Sequence, residues 1–340
     1  MKNKNLQTVL AMASAMALSS CVTSKVYLEA FAPEEQSLNL VKITDESSNN
    51  ILGGTLYSYT GGDYTKSALG ISKQNGVFWS AIKTLDVSPD GEKLAYLSDV
   101  NKQQNVMVRS TKPGGVATQR TFRNVGSFSF GSDGKIYFSD QNGKNSYICS
   151  VNAEAGSLMN QHTSGSVEDT HPCLSADGNK IYFVRGSSTG GPSIWSLASD
   201  GTLTMCARGF SPCIIDGNND AFYCVRNSSE GRSEIWYVDF VKGKESLILS
   251  DQNRSFTNPC LSPDGKWIVC TGNSPSTISK KQNLDIFVVR TDGTQLTQLT
   301  YHPSYDMCPV WSADGRSIYF ISSRANEDQK FNVWRMNFDL

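Results

Sequence analysis

The sequence predicts an all-β protein built as a six-bladed β-propeller. Three observations carry that expectation. An Asp-Gly turn recurs at blade spacing at Asp90-Gly91, Asp133-Gly134, Asp177-Gly178, Asp216-Gly217, Asp264-Gly265 and Asp314-Gly315, with spacings of 43, 44, 39, 48 and 50 residues, and two more, Asp200-Gly201 and Asp292-Gly293, follow third strands. Each turn at blade spacing is followed by a short run of β-branched and aromatic residues, from Leu94-Ala95-Tyr96-Leu97 to Ile318-Tyr319-Phe320-Ile321. Only 19% of the 340 residues are charged, and Gly, Ser, Asn, Tyr and Phe are abundant, which suits short strands and polar turns better than surface helices.

The N-terminus reads as a targeting segment. Lys2 and Lys4 precede an apolar stretch from Val9 to Leu18, too short to span a bilayer, and Leu18-Ser19-Ser20-Cys21 follows. This wording is similar to the lipobox of bacterial lipoproteins, whose cysteine is lipidated and becomes the new N-terminus. The expected division is a signal peptide over 1–20, a tether over 21–36 starting at the lipidation site Cys21, and the propeller over 37–340. An ordinary secretory signal with an incidental cysteine is the alternative.

Each turn has a physical reason. Four copies read Ser-Pro/Ala-Asp-Gly; Gly131-Ser132-Asp133-Gly134 and Ile214-Ile215-Asp216-Gly217 are worn. Pro or Ala suits the first corner of a type I turn, Asp bonds neighbouring backbone, and Gly accepts positive φ, closing a hairpin. A third strand follows, as in Asn105-Val106-Met107-Val108 or Asn332-Val333-Trp334, and a fourth is clearest at Gln295–Thr300. Four short strands per 40–50 residues is the size of a propeller blade, and stacking blades in a ring buries faces that no blade can bury alone. The last repeat stops after its third strand, so Leu38–Thr44 is expected to pair near Val333–Met336 and close the ring. Residues 45–84 exceed what a junction needs; they read as an inserted hairpin over one end of the ring or as a degenerate seventh blade.

The wording Pro309-Val310-Trp311-Ser312-Ala313-Asp314-Gly315, then Asn332-Val333-Trp334-Arg335-Met336, resembles the TolB-type propeller repeat. The resemblance covers roughly residues 80–340 and the closing strand. It implies a protein-binding scaffold of the cell envelope, although the same repeat also stands beside peptidase and lyase chemistry. Only about 60 residues separate Cys21 from the first repeat, too few for the additional N-terminal domain of TolB itself. The expectation is a TolB-like lipoprotein, lipid-anchored in the bacterial envelope, on the outer membrane, and monomeric.

The formal net charge of −1 removes the electrostatic case for a nucleic-acid partner. Eight cysteines remain besides Cys21. Cys173, Cys213 and Cys260 each follow a proline at one repeat position, and equivalent positions are expected to lie too far apart for disulfides, so free buried thiols are favoured. The best disulfide candidates are within one hairpin, Cys260 with Cys270 or Cys213 with Cys224. No CxxC spacing supports zinc, and no cofactor is implied.

Catalytic motifs are sparse. No Gly-x-Ser-x-Gly elbow occurs, and the Asp-Gly turns do not fit the Ser-x-Asp-x-Gly of sialidase Asp boxes. Of three histidines, His171 and His302 each precede a proline near the entry to an inner strand, with Asp169 and Asp306 nearby; these four are candidates for a loose cluster at the channel mouth, which would suit a glycan binder, lyase or hydrolase. Capping of turns by the aspartates is the plainer role. A partner is expected instead on the face of the long second-to-third loops, through Arg185, Arg226, Lys280, Lys281 and Arg324, with Tyr301 and Tyr305 near the mouth.

Overall fold

The computed structural model describes residues 32–45, 50–51, 56–58, 79–100, 102–141, 145–154, 158–186, 191–275, 282–325 and 330–339. Cys21, Lys280 and Lys281 lie outside the described residues.

The six repeats form six antiparallel sheets. From inner to outer strand, blade 1 is Leu85–Val87, Lys93–Val100, Gln103–Ser110 and Thr118–Gln119, with Asn50–Ile51 extending its short inner edge. Blade 2 is Val125–Phe130, Lys135–Asp140, Tyr147–Asn152 and Asn160–Gln161; blade 3 is Asp169–Leu174, Lys180–Arg185, Ser193–Ala198 and Leu203–Arg208. Blade 4 is Phe210–Ile215, Asn218–Asn227, Ser233–Asp239 and Lys244–Leu249; blade 5 is Phe256–Leu261, Trp267–Pro275, Gln282–Arg290 and Thr297–Gln298. Blade 6 takes Asp306–Trp311, Ser317–Ser322 and Asn332–Asn337 from the end of the chain and Val41–Lys42 from its beginning. Val41 lies opposite Arg335 and Lys42 opposite Trp334, which is the expected closure. Each inner strand packs beside the next, and that of blade 6 returns to blade 1.

The count is six, not seven. The described part of 45–84 gives the strand Asn50–Ile51 in blade 1 and a separate two-stranded hairpin, Leu56–Ser58 with Trp79–Ala81. The second hairpin strand lies against the inner strands of blades 4 and 5, so the insertion reaches into the ring. The second-to-third connection of blade 5, expected as a long loop through Lys280 and Lys281, begins and ends as a continuation of the ladder: Gly272 faces Asp285, Asn273 faces Leu284 and Pro275 faces Gln282.

Alternation places one apolar set on each sheet face, and those sets meet between blades. Phe128, Phe138, Tyr182 and Phe222 belong to one cluster spanning blades 1 to 4, while Trp311, Phe320 and Trp334 join Val269 and Val288 across blades 5 and 6. Each fully buried aromatic or aliphatic side chain contributes about 1.5–3 kcal/mol.

The repeated turn is a small hydrogen-bonded unit. In blade 5 the Ser262 hydroxyl donates to Asp264 Oδ1 at 2.6 Å and accepts from the Trp267 N–H at 2.9 Å, while Asp264 Oδ1 also accepts from the Lys266 N–H at 3.1 Å. Blades 1, 3 and 6 repeat the pattern around Asp90, Asp177 and Asp314. All six turn glycines have φ between 69° and 75°, the left-handed region that favours glycine. The worn blade 4 turn keeps Gly217 but shortens, with Ile215 opposite Asn218.

The inner strands carry a second repeated device. His171, Ser211, Asn258 and Cys308 have φ of 49°, 51°, 51° and 54°, and each immediately precedes a proline. The pairing register skips there in blades 3 to 6, from Thr170 to Cys173 in blade 3, for example. Left-handed backbone at a non-glycine residue is costly. Donation from the His171 N–H to Ser127 Oγ at 2.7 Å and from the Cys308 N–H to Thr271 Oγ1 at 3.0 Å helps hold it. The bulges re-aim the inner strands toward the ring axis.

Candidate functional site: the central channel

The inner strands enclose a channel of about 370 Å³. Its rim is the set of Asp-Gly turns, through Pro89, Ser132, Ala176, Asp216, Pro263 and Ala313. Phe130, Leu174, Ile214, Leu261 and Trp311 contribute to its wall, and the left-handed layer of His171, Ser211, Asn258 and Cys308 lies at its depth. Between rim and depth is a ring from equivalent positions, Asp86, Ser129, Cys173, Cys213, Cys260 and Val310.

Lys83 enters this waist from the segment joining the inserted hairpin to blade 1, and its Nζ lies 2.9 Å from Asp86 Oδ1. Asp86 is further fixed by the Phe130 N–H, which donates to Oδ2 at 2.8 Å. The carboxylate beside it offsets the burial of the Lys83 ammonium and holds its pKa above the ordinary range. Burial pushes the Cys173 thiol up to about 12 and raises Cys213 and Cys260 as well. At neutral pH the waist therefore holds one neutralised ion pair and three protonated thiols, neither a free base nor a ready nucleophile.

The rim turns consume their own polar atoms, as the Ser262–Asp264 unit does. Pro89, Pro263 and Ala313 are exposed and Ala176 is half-buried, so small apolar groups crown the channel. Sequence reading treated the turns as geometry alone; their proline and alanine positions also shape this mouth, which only closure of the ring brings together.

Apart from His171, the described residues singled out in the sequence fall elsewhere. Arg185 makes a bidentate pair with buried Asp169, at 2.8 and 3.0 Å, and lies over the rings of Phe183 and Trp195. Arg226 pairs with Glu245 at 2.8 and 2.7 Å and lies over Trp236. Arg324 is wholly buried: Nη1 donates to Glu35 Oε2 at 2.7 Å, Nη2 donates to Asp306, and Nε donates to Ser322 Oγ at 3.1 Å. Tyr301 is partly exposed, its N–H donating to Glu35 Oε1 at 2.6 Å, and Tyr305 is half-buried.

His171, Asp169, His302 and Asp306 do not form one cluster. His171 and Asp169 belong to blade 3, and His302 and Asp306 to the blade 5–6 junction, on opposite sides of a six-membered ring. His171 faces the channel, its Nδ1 3.0 Å from Thr170 Oγ1. His302 Nδ1 lies 2.7 Å from Ser304 Oγ, within a buried network that includes Asp306, Ser322, Arg324 and Glu35. Beside it Asp285 accepts from Thr300 Oγ1 at 3.2 Å and from Ser274. Burial and the Asp306 charge push Asp285 up to about 8, and burial carries Asp306 to about 6 despite Arg324. Glu35, with the guanidinium against it, stays below the usual carboxylate range. Glu35 lies on the 3-10 helix Pro33–Leu38, so residues read as tether up to 36 pack on the ring from Ala32 onward.

All eight cysteines among the described residues are free thiols. The hairpin disulfides fail on parity. Cys213 lies opposite Tyr223 and Cys260 opposite Val269, so Cys224 and Cys270, one residue further along, face the other side of their sheets. No group of three or more His, Cys, Asp or Glu arranged to hold a metal ion occurs among the described residues.

No family model matches the chain. The TolB homolog of Chlorobium luteolum is 28% identical over 159 residues, 45% of this chain, so the chain matches 34% of that relative's length. TolB from Acinetobacter baumannii superposes with a TM-score of 0.55 at 18% identity, over 75% of this chain and 63% of that one. An oligogalacturonate lyase from Vibrio parahaemolyticus shares the architecture at a TM-score of 0.52 and 11% identity, over 89% of this chain and 97% of that one. These likenesses bear out the TolB-like propeller fold that the repeat wording implied, a fold that enzymes also use.

Proposed function

We propose that this TolB-like propeller is a non-catalytic scaffold of the bacterial cell envelope, held to a membrane through a lipid on Cys21, that docks a protein partner on the Asp-Gly turn rim of its channel. One observation carries the choice of surface. The rim joins exposed Pro89, Pro263 and Ala313 around a channel of about 370 Å³, with its polar turn atoms already satisfied internally. Such a mouth offers shape and apolar contact to a protruding loop or side chain, at little desolvation cost. The opposite face has long loops, but Arg185 and Arg324 there are held by the buried carboxylates of Asp169 and Glu35, and Arg226 pairs with Glu245 of its own blade. Photo-crosslinking side chains placed at Ala176, Pro263 and, on the opposite face, Glu230 test the reading in intact cells. A partner captured from Ala176 and Pro263 but not from Glu230 supports it; capture from Glu230 alone refutes it.

A further inference from the structure

The thiols at the waist come from equivalent positions of adjacent blades, yet they are neighbours. The inner strands of blades 4 and 5 approach within 8 Å between Cα atoms. The Leu261 N–H donates to Cys213 Sγ at 3.2 Å. Leu261 N is joined through one peptide carbon to the Cys260 Cα, so the Cys213 sulfur lies within about 6 Å of that Cα. Cys213 and Cys260 both line the channel and are half-buried. In an ordinary repeat array equivalent positions stand too far apart to bridge; in a propeller the innermost strands converge on the axis, and here the bulge before each Pro-Cys pair turns both side chains into the waist.

We propose that Cys213 and Cys260 are a redox-active dithiol that closes to a disulfide across the blade 4–blade 5 boundary by exchange with a small-molecule disulfide entering the channel. The first thiolate attacks one sulfur of the incoming disulfide, forming a mixed disulfide and expelling one small thiolate, which takes up the proton released from the attacking cysteine. The second cysteine, as its thiolate, attacks the protein-side sulfur and expels the second small thiolate, which takes up that proton. The cysteine pair is oxidised by two electrons and the small disulfide is reduced to two thiols. Lys83 stands beside both sulfurs and favours the thiolate that burial disfavours, so exchange is slow at neutral pH and quickens as pH rises. The product would lock two inner strands together at the waist and displace the Lys83 ammonium from its sulfur neighbours.

The folded full-length chain is incubated with 2-hydroxyethyl disulfide for many hours at about pH 9, to raise the small thiolate fraction that burial leaves at both cysteines. Remaining thiols are blocked after unfolding, and the chain is digested without reduction for mass mapping. The expected result is loss of two of the eight thiols of the propeller and recovery of one linked peptide joining Cys213 to Cys260. Cys206→Ser, on an outer strand away from the channel, should leave that link unchanged, and Cys213→Ser should leave only a mixed disulfide on Cys260. The proposal is overturned if the wild-type map shows mixed disulfides without a link, no reaction at either cysteine, or a link from Cys213 to Cys173. The wild-type map decides even if Cys213→Ser does not fold.

Discussion

Replacing Arg324 by methionine should lower folding stability by about 3–5 kcal/mol at pH 8, the cost of removing one partner from a buried ion pair. Methionine keeps much of the volume and none of the donors. Arg324 is 0% exposed and gives Glu35 two hydrogen bonds, at 2.7 and 3.2 Å, besides its bond to Asp306. Without the guanidinium, two carboxylates face each other in a site that water does not reach. The penalty should shrink as pH falls. In the native protein the guanidinium keeps Glu35 below its ordinary pKa and limits Asp306 to about 6. In the variant, burial and mutual repulsion raise both, so at pH 5 protonation relieves the strain that persists at pH 8. Urea unfolding followed by tryptophan fluorescence at the two pH values, with the slope checked for two-state behaviour, measures the difference. A penalty below about 1 kcal/mol, the range of an exposed pair, or one equal at both pH values, would refute the account of this network.

Asp285→Asn should flatten the pH dependence of stability: Asp285 titrates at about 8 in the folded chain against about 3.9 unfolded, so its contribution is present at low pH and is lost as pH rises toward 8. The native protein should lose about 1.4 kcal/mol per pH unit from this proton across that window, and urea midpoints from pH 5 to 9 that fall equally in protein and variant would count against it. Gly265→Val should cost about 1–3 kcal/mol through backbone strain alone, because φ is 71° and an added Cβ meets nothing within 4 Å; Gly293→Ala should cost more, since its Cβ would meet the Ile248 carbonyl oxygen at 2.6 Å. Thermal melts that rank these two in the other order would contradict the turn analysis. Cys21→Ala should move the protein from the membrane fraction to the soluble one, and unchanged fractionation would remove the lipid anchor from the proposal.

The fold was legible because its signals are local and repeated. Asp264-Gly265 announces a hairpin from two residues, and six such turns at blade spacing leave little choice of architecture. Even closure could be read, since Val41 and Lys42 belong to a strand-like run and the last repeat lacks an outer strand. The site was much less legible. Arg324 looks like any loop arginine, and only the packing of Glu35, far away in sequence, shows that it is internal. The predicted Asp169–His171 and His302–Asp306 cluster needed the angular positions of blades 3 and 6, which repeat spacing does not encode. Cys213 and Cys260 carried a usable signal, the repeated Pro-Cys pair; reading it required knowing that inner strands crowd the axis. The insertion was legible as extra chain but not as the source of Lys83 at the waist.

Closure by Val41–Lys42 on Asn332–Asn337 also sets an order of events in folding. Val41 must meet Arg335, a separation of 335 − 41 = 294 residues. Contacts that distant are entropically expensive and form late. Until Val41–Lys42 docks on Asn332–Asn337, blades 1 to 5 can assemble on their local hairpins, but blade 6 lacks both its outer strand and the Glu35–Arg324 clamp. An unclosed ring exposes strand edges that invite pairing with another chain. During synthesis, when the N-terminal segment emerges long before its partner strand, the chain passes through an interval in which the unpaired edge of blade 6 makes its aggregation hazard greatest.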